Sequence, residues 1–275
     1  IKLDPAAFAA RLPALLKSLP GSRQALARDG ARQLKTDLVK TALTRPYDTF
    51  SDAGKRVALE IAKERRLAEA VPLGLAALDA KDEETAIAGY RLLRETAGKE
   101  QAEILVAKLL ATSGRVTPEA QNAVAAAARR DASGAYAAAL LKALATAPDA
   151  QKPAALETAA RLGGGALLKA VEASAAASDA EVSAAAVRAL AAWPDAASVP
   201  ALLRLAATAD AKRQTLAHRG LAKKLSESGA DRPSAFKLWQ SLRPTVTDEA
   251  RKKAIDEIFE KASSAAPGKP VASAA

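Results

Sequence analysis

The chain of 275 residues is basic and poor in aromatics: 49 % of it is hydrophobic, 3 % is aromatic, and 41 Lys or Arg against 31 Asp or Glu give a net charge of +10. The absence of cysteine removes disulfides, thiolate metal sites, a cysteine nucleophile and haem attachment through Cys-x-x-Cys-His. No strongly apolar run of about 18 residues is present, so no spanning helix is expected, and no basic-then-apolar start marks a signal peptide.

Much of the apolar content is alanine, the best helix former, and an all-helical chain with small, close-packed contacts follows from that alone. Asp4 and Pro5 start the first helix, Leu12, Leu15, Leu16 and Leu19 give it one apolar face, and Gly21 ends it. A second helical stretch runs from about Ser22 to Leu43, interrupted at Gly30, with a solvated face of Arg23, Arg28, Arg32, Lys35 and Lys40. After a break at Arg45, Pro46, Tyr47 and Asp48, helices come in pairs. First helices are predicted at 52–66, 82–97, 117–130, 149–162, 179–193, 210–226 and 247–262, and second helices at 69–80, 99–112, 133–147, 165–177, 197–208 and 233–243. Asp82, Thr117 with Pro118, Asp179, Asp195 and Thr247 stand at N-cap positions, and Gly98, Gly114 and Gly163 stand where helices stop. The last helix, with Ala254, Ile255, Ile258 and Phe259 inward and Arg251, Lys252 and Lys253 outward, reads as a terminal cap. The organisation is therefore an N-terminal helical extension over 1–50, a repeat array over 51–263 and an Ala/Pro/Ser tail over 264–275. A chain without methionine is expected to have its true start upstream.

One short unit recurs: Ala139, Leu140, Leu141, Lys142 returns at Ala166, Leu167, Leu168, Lys169 and at Ala201, Leu202, Leu203, Arg204, with a weaker copy at Ala14, Leu15, Leu16, Lys17. Recurrence at intervals of about 30 residues is the signature of stacked helical repeats. Val71 with Pro72 and Val199 with Pro200 open second helices and set their register. In that register Lys108, Lys142, Lys169, Arg204 and Lys237 share one position, opposite the apolar cluster on the helical wheel. Helices packed 8 to 10 Å apart would space these cations as a ladder, and the ladder is the expected partner-binding surface. Charge is concentrated at the two ends, residues 1–66 and 204–253, which suits an acidic partner or simple solubility.

Paired helices of this length, with Asp at the turn and Val-Pro entering the second helix, resemble HEAT repeats, and the expected fold is a right-handed α-solenoid of six to seven pairs. The likeness is best over 179–262, where Val187 to Asp195 contains Arg188 and Trp193-Pro194-Asp195, followed by Val199 to Leu203 and by Leu216, Ala217, His218, Arg219, Gly220. These segments are similar to HEAT segments of exported bacterial proteins, many of which also carry a 3-keto-disaccharide-hydrolase-like jelly-roll domain. The resemblance implies a non-catalytic helical module outside the cytoplasm. The sequence contains no jelly-roll segment.

Candidates for chemistry are few. His218 is the only histidine, and helical-repeat hydroxylases that bind iron need several His-Glu pairs, which are absent; His218 is expected to be structural. Gly163, Gly164 and Gly165 follow a helix and lack a nucleotide-binding frame, so they read as an interhelical turn. Trp193 and Trp239 read as core anchors. No catalytic residue, cofactor or metal set is predicted. The leading expectation is a non-catalytic scaffold or structural subunit that docks an acidic protein partner on the ladder. The alternatives are a helical-repeat protein gripping nucleic acid backbone and an accessory module of a carbohydrate-active enzyme.

Overall fold

The helix starts are built by short polar side chains that accept from backbone N–H groups which a helix leaves without partners. Asp4 accepts from Ala6 at 3.0 Å, Ser51 from Gly54 at 3.1 Å, Asp82 from Thr85 at 3.1 Å, Asp179 from Val182 at 2.9 Å and Asp210 from Arg213 at 3.1 Å. In the computed structural model of the protein, residues 4–18, 23–208, 210–227 and 230–264 are described; among them are sixteen α-helices and no strand. The fold is an all-α helical repeat.

The chain divides into two compact units, residues 1–136 and 137–275. In the first, α1 (Pro5–Lys17), α2 (Gln24–Arg32) and α3 (Thr36–Thr44) precede α4 (Asp52–Glu64), α5 (Val71–Ala77), α6 (Glu83–Thr96), α7 (Ala102–Leu110) and α8 (Val116–Arg130). The first helices α4, α6 and α8 pack in series. Leu12 and Leu16 of α1, Val39 and Leu43 of α3, Leu59 of α4 and Leu92 of α6 share one core. Close approach is paid for in glycine: a β-carbon at position 54 would lie 1.9 Å from the Leu16 carbonyl oxygen.

In the second unit α9 (Ala135–Thr146), which begins at the boundary, is followed by α10 (Lys152–Leu162), α11 (Gly165–Ala175), α12 (Ala180–Ala191), α13 (Val199–Thr208), α14 (Ala211–Ser226), α15 (Arg232–Leu242) and α16 (Glu249–Ser264). Here α10, α12 and α14 pack in series, α11 lies on α12, α13 on α14, and α16 on both α13 and α14.

From residue 51 onward the helices fall within about three residues of their predicted bounds. The late starts have one cause: 3-10 turns at Ala68–Ala70, Lys99–Gln101, Asp149–Gln151 and Ala196–Ser198 lead the chain into α5, α7, α10 and α13. Three expectations are corrected. Gly30 does not break a helix; it lies inside α2, where the ring of Phe8 stands 2.2 Å from where a β-carbon would be, and the break falls between α2 and α3. Thr117 caps nothing, because α8 already begins at Val116. Asp248, and not Thr247, caps α16, accepting from Ala250 and Arg251 at 2.9 and 3.2 Å. Leu19, Gly21 and the tail from residue 265 lie outside the described residues.

Candidate functional site

Many of the described cations pair with a carboxylate of the following repeat. In the first unit Arg28 meets Glu60 at 2.7 Å, Arg32 meets Glu64 at 2.9 Å, Lys40 meets Glu69 at 2.6 Å, Arg91 meets Glu119 at 2.8 Å, and Arg56 pairs with Asp82. The hydrogen bond from Arg32 holds the Glu64 carboxyl below its usual range; the Thr85 hydroxyl and then Arg56 do the same for Asp82.

A second set of cations donates to helix ends. Arg65 reaches the carbonyls of Ala31, Arg32 and Leu34 at 2.7, 2.7 and 2.9 Å, and Arg130 reaches those of Arg94 and Ala97 at 2.6 and 3.1 Å. In the second unit the buried Lys224 donates to the Trp193 carbonyl and to Glu227, and Arg251 donates to the Ala207 carbonyl at 2.8 Å. The last carbonyls of a helix have no partner within it and carry its negative dipole end, so cations suit them. Sequence reasoning missed these roles. A basic residue at a helix terminus signals a dipole complement, but not that it serves the helix one repeat earlier.

The predicted ladder is placed as follows. Lys108 of α7 is half-buried and paired with Asp79 in the first unit. Lys142, Lys169, Arg204 and Lys237 lie exposed on α9, α11, α13 and α15 of the second unit. Arg204 lies 3.7 Å from Glu172, and Lys142 is also engaged. Lys169 and Lys237 have no hydrogen-bond or ion-pair partner among the described residues.

The sharper feature lies on the first helices. Glu157, Arg188 and Arg219 stand 31 residues apart on α10, α12 and α14, and so do Arg161, Ala192 and Lys223. Two clefts follow this register. One of about 280 Å³ is lined by Glu157, Ala160, Arg161, Arg188 and Ala192. The next, of about 250 Å³, is lined by Arg188, Ala191, Ala192, Arg219, Gly220 and Lys223. In the first, base faces acid, with Arg188 at 3.8 Å from Glu157. In the second, Arg188 stands where Glu157 does and Arg219 where Arg188 does, so two arginines line the cleft. Arg188 turns to Glu181 at 3.2 Å, while Arg219 and Lys223, one helical turn apart and exposed, have no partner among the described residues. A β-carbon on Gly220 would come 2.7 Å from that of Ala191, so the helices nearly touch and the floor of the cleft is backbone and methyl groups.

His218 is half-buried on α14; burial pushes its pKa down, the Arg251 charge adds to this, and a hydrogen bond with the Ala206 backbone opposes it. Its Nε2 finds no partner. A histidine depressed in the folded state stabilises above its ordinary value of 6.5 and loses that contribution as pH falls toward the folded value, because the unfolded chain takes the proton first. Urea midpoints are therefore expected to fall between about pH 7 and 5, and a His218→Gln variant to lose that slope; equal slopes in both proteins would remove His218 as its cause. Gly163 and Gly164 have φ of +74° and +93° and form the turn between α10 and α11. Trp193 and Trp239 are both buried. Among the described residues no group of three or more His, Cys, Asp or Glu gathers where a metal ion would sit.

No family model matches the chain, and no curated protein sequence matches it. Among solved structures it is similar to human deoxyhypusine hydroxylase in complex with glycerol, at 17 % identity over 94 % of this chain and 95 % of that one, with a TM-score of 0.36. It is also similar to two engineered proteins, at 22 % identity over 94 % of this chain and 69 % of the other with a TM-score of 0.38, and at 21 % over 92 % and 96 % with a TM-score of 0.30. At these identities the likeness concerns the fold alone. The expected non-catalytic scaffold is not borne out: an enzyme aligns along nearly the whole chain. The non-catalytic scaffold, its nucleic-acid and carbohydrate-accessory alternatives, and the expectation of no enzyme are withdrawn.

Proposed function

We propose that the chain is a HEAT-type repeat protein whose second unit recognises an anionic group, a phosphate or carboxylate, in the cleft of Arg188, Arg219 and Lys223. The observation that carries this reading is the break in the 31-residue register: the position that holds an acid–base pair between α10 and α12 holds two arginines between α12 and α14. Like charges at neighbouring sites destabilise by a few tenths of a kcal/mol, and Lys223 at i+4 from Arg219 adds to that cost. An anion offsets it. Guanidinium groups present forked donors that match carboxylate and phosphate oxygens, and a cleft of about 250 Å³ takes a single such group. The group is offered either by a small molecule or by an acidic protein segment.

An Arg219→Glu variant tests this with two readouts of opposite sign. The new carboxylate on α14 would stand across the cleft from Arg188 on α12, an acid–base pair of reversed polarity, so stability is expected to rise by about 0.5 kcal/mol. Binding is expected to fall at least tenfold, measured by calorimetry with inorganic pyrophosphate and with a glutamate-rich peptide at low salt. Pyrophosphate binding alone identifies a small-molecule site, and peptide binding alone identifies a protein partner. Unchanged binding of both probes, or no binding by the parent protein, overturns the proposal.

A further inference from the structure

A further cavity, of about 840 Å³, lies between α15 and α16 of the second unit, lined by residues that include Arg232, Pro233, Phe236, Asp256, Phe259 and Glu260. That volume is typical of small-molecule sites. Two of the chain's four phenylalanines meet there edge to face, with ring centroids 5.4 Å apart and planes at 68°. Phe259 is buried, but Phe236 keeps 44 % of its surface exposed in a chain whose other large aromatics are mostly enclosed.

Several of the polar groups around these rings are engaged. The Arg232 Nε donates to the Leu225 carbonyl at 2.8 Å, and the Ser263 hydroxyl donates to the Phe259 carbonyl at 2.8 Å. Asp256 accepts from the Trp239 Nε1 at 2.7 Å and from Arg243 at 3.0 Å, and Arg243 foremost holds its carboxyl below the usual range. Glu260 is exposed and without an ion-pair or hydrogen-bond partner among the described residues. Its neighbours on the same helix face, at i−4 and i−3, are Asp256 and Glu257. Like charges at these spacings repel, and the C-terminal part of a helix disfavours negative charge. Asp256 and Glu260 thus stand on one face of α16 beside the exposed Phe236 ring, with the Arg232 guanidinium as the cation of the cavity lining.

We infer that this cavity binds a small organic cation, an alkylated ammonium ion, with its charged head between the Phe236 ring and the Glu260 carboxylate and its alkyl part over Phe259 and Pro233. A ring face attracts a weakly hydrated alkylammonium, and the cavity's apolar walls accept its carbon atoms. An inorganic ion would fill little of the space and would find one free carboxylate.

The test uses choline and its uncharged isostere 3,3-dimethylbutan-1-ol, titrated while following the resonance of the Trp239 indole N–H, which donates to Asp256 of the cavity lining. Choline is expected to shift that resonance and to bind about tenfold more tightly than the alcohol; Glu260→Gln and Phe236→Leu should each weaken it about fivefold. Glu260 is exposed and its variant keeps the fold, so the result stands if Phe236→Leu unfolds. Equal binding of choline and the alcohol, no binding at millimolar concentration, or an affinity unmoved by Glu260→Gln would each overturn the inference.

Discussion

Replacing Gly54 with alanine is expected to destabilise the protein by about 2 kcal/mol, although alanine is the better helix former. The substitution sits in the first turn of α4, where helix propensity alone favours alanine by roughly 1 kcal/mol. Against this, the added methyl would stand 1.9 Å from the Leu16 carbonyl oxygen and 2.8 Å from its carbon. These are backbone atoms and cannot swing aside, so α1 must move. Moving it strains the Ser51 hydroxyl bond to the same carbonyl, now 3.2 Å, and opens the core around Leu12 and Leu16. Overpacking of this kind costs about 1–3 kcal/mol, occasionally more. Urea unfolding decides it: a Gly54→Ala protein that is more stable than its parent would show that α1 does not lean on α4 here.

Lys224→Met is expected to cost about 2 kcal/mol, while Lys223→Met next to it changes stability by less than about 0.5 kcal/mol. The two lysines differ only in what surrounds them. Lys224 is 3 % exposed and donates to the carbonyl of Trp193, itself buried, and to Glu227. Methionine keeps the length and the packing but leaves that carbonyl buried with no donor. Lys223 faces the open cleft. Equal effects from the two substitutions, measured by thermal unfolding and Trp fluorescence, would mean the Lys224 contact contributes nothing beyond its aliphatic stem.

The helix positions were legible because their signals are local: Asp82 and Asp179 cap the helices they precede, Pro72 and Pro200 sit in first turns, and Gly163 stops α10. The exposure of Lys142, Lys169, Arg204 and Lys237 was legible from the wheel for the same reason. The engagement of Lys108 by Asp79 and of Arg204 by Glu172 was not, since each joins residues about one repeat apart. The Arg188 and Arg219 cleft left a readable trace in the constant spacing of 31 residues from Glu157. A register on the second helices, where a basic residue recurs, does not show it; on the first helices the charge changes sign. Gly30 misled for a physical reason: its missing side chain makes room for Phe8 instead of ending a helix.

The cations that reach back to helix ends make each unit unequal in its response to cutting. Removing α8 would strip the donors from the Arg94 and Ala97 carbonyls of α6, and removing α14 would strip the Lys224 donor from Trp193. The earlier helix is left with exposed negative ends that its own backbone has no means to neutralise. Removing α2 instead frees the Arg65 guanidinium, which simply turns to water. Loss of a later repeat therefore uncovers the carbonyl end of an earlier helix, whereas loss of an earlier repeat uncovers side-chain charges, such as Arg65, Glu60 and Glu64 when α2 is removed.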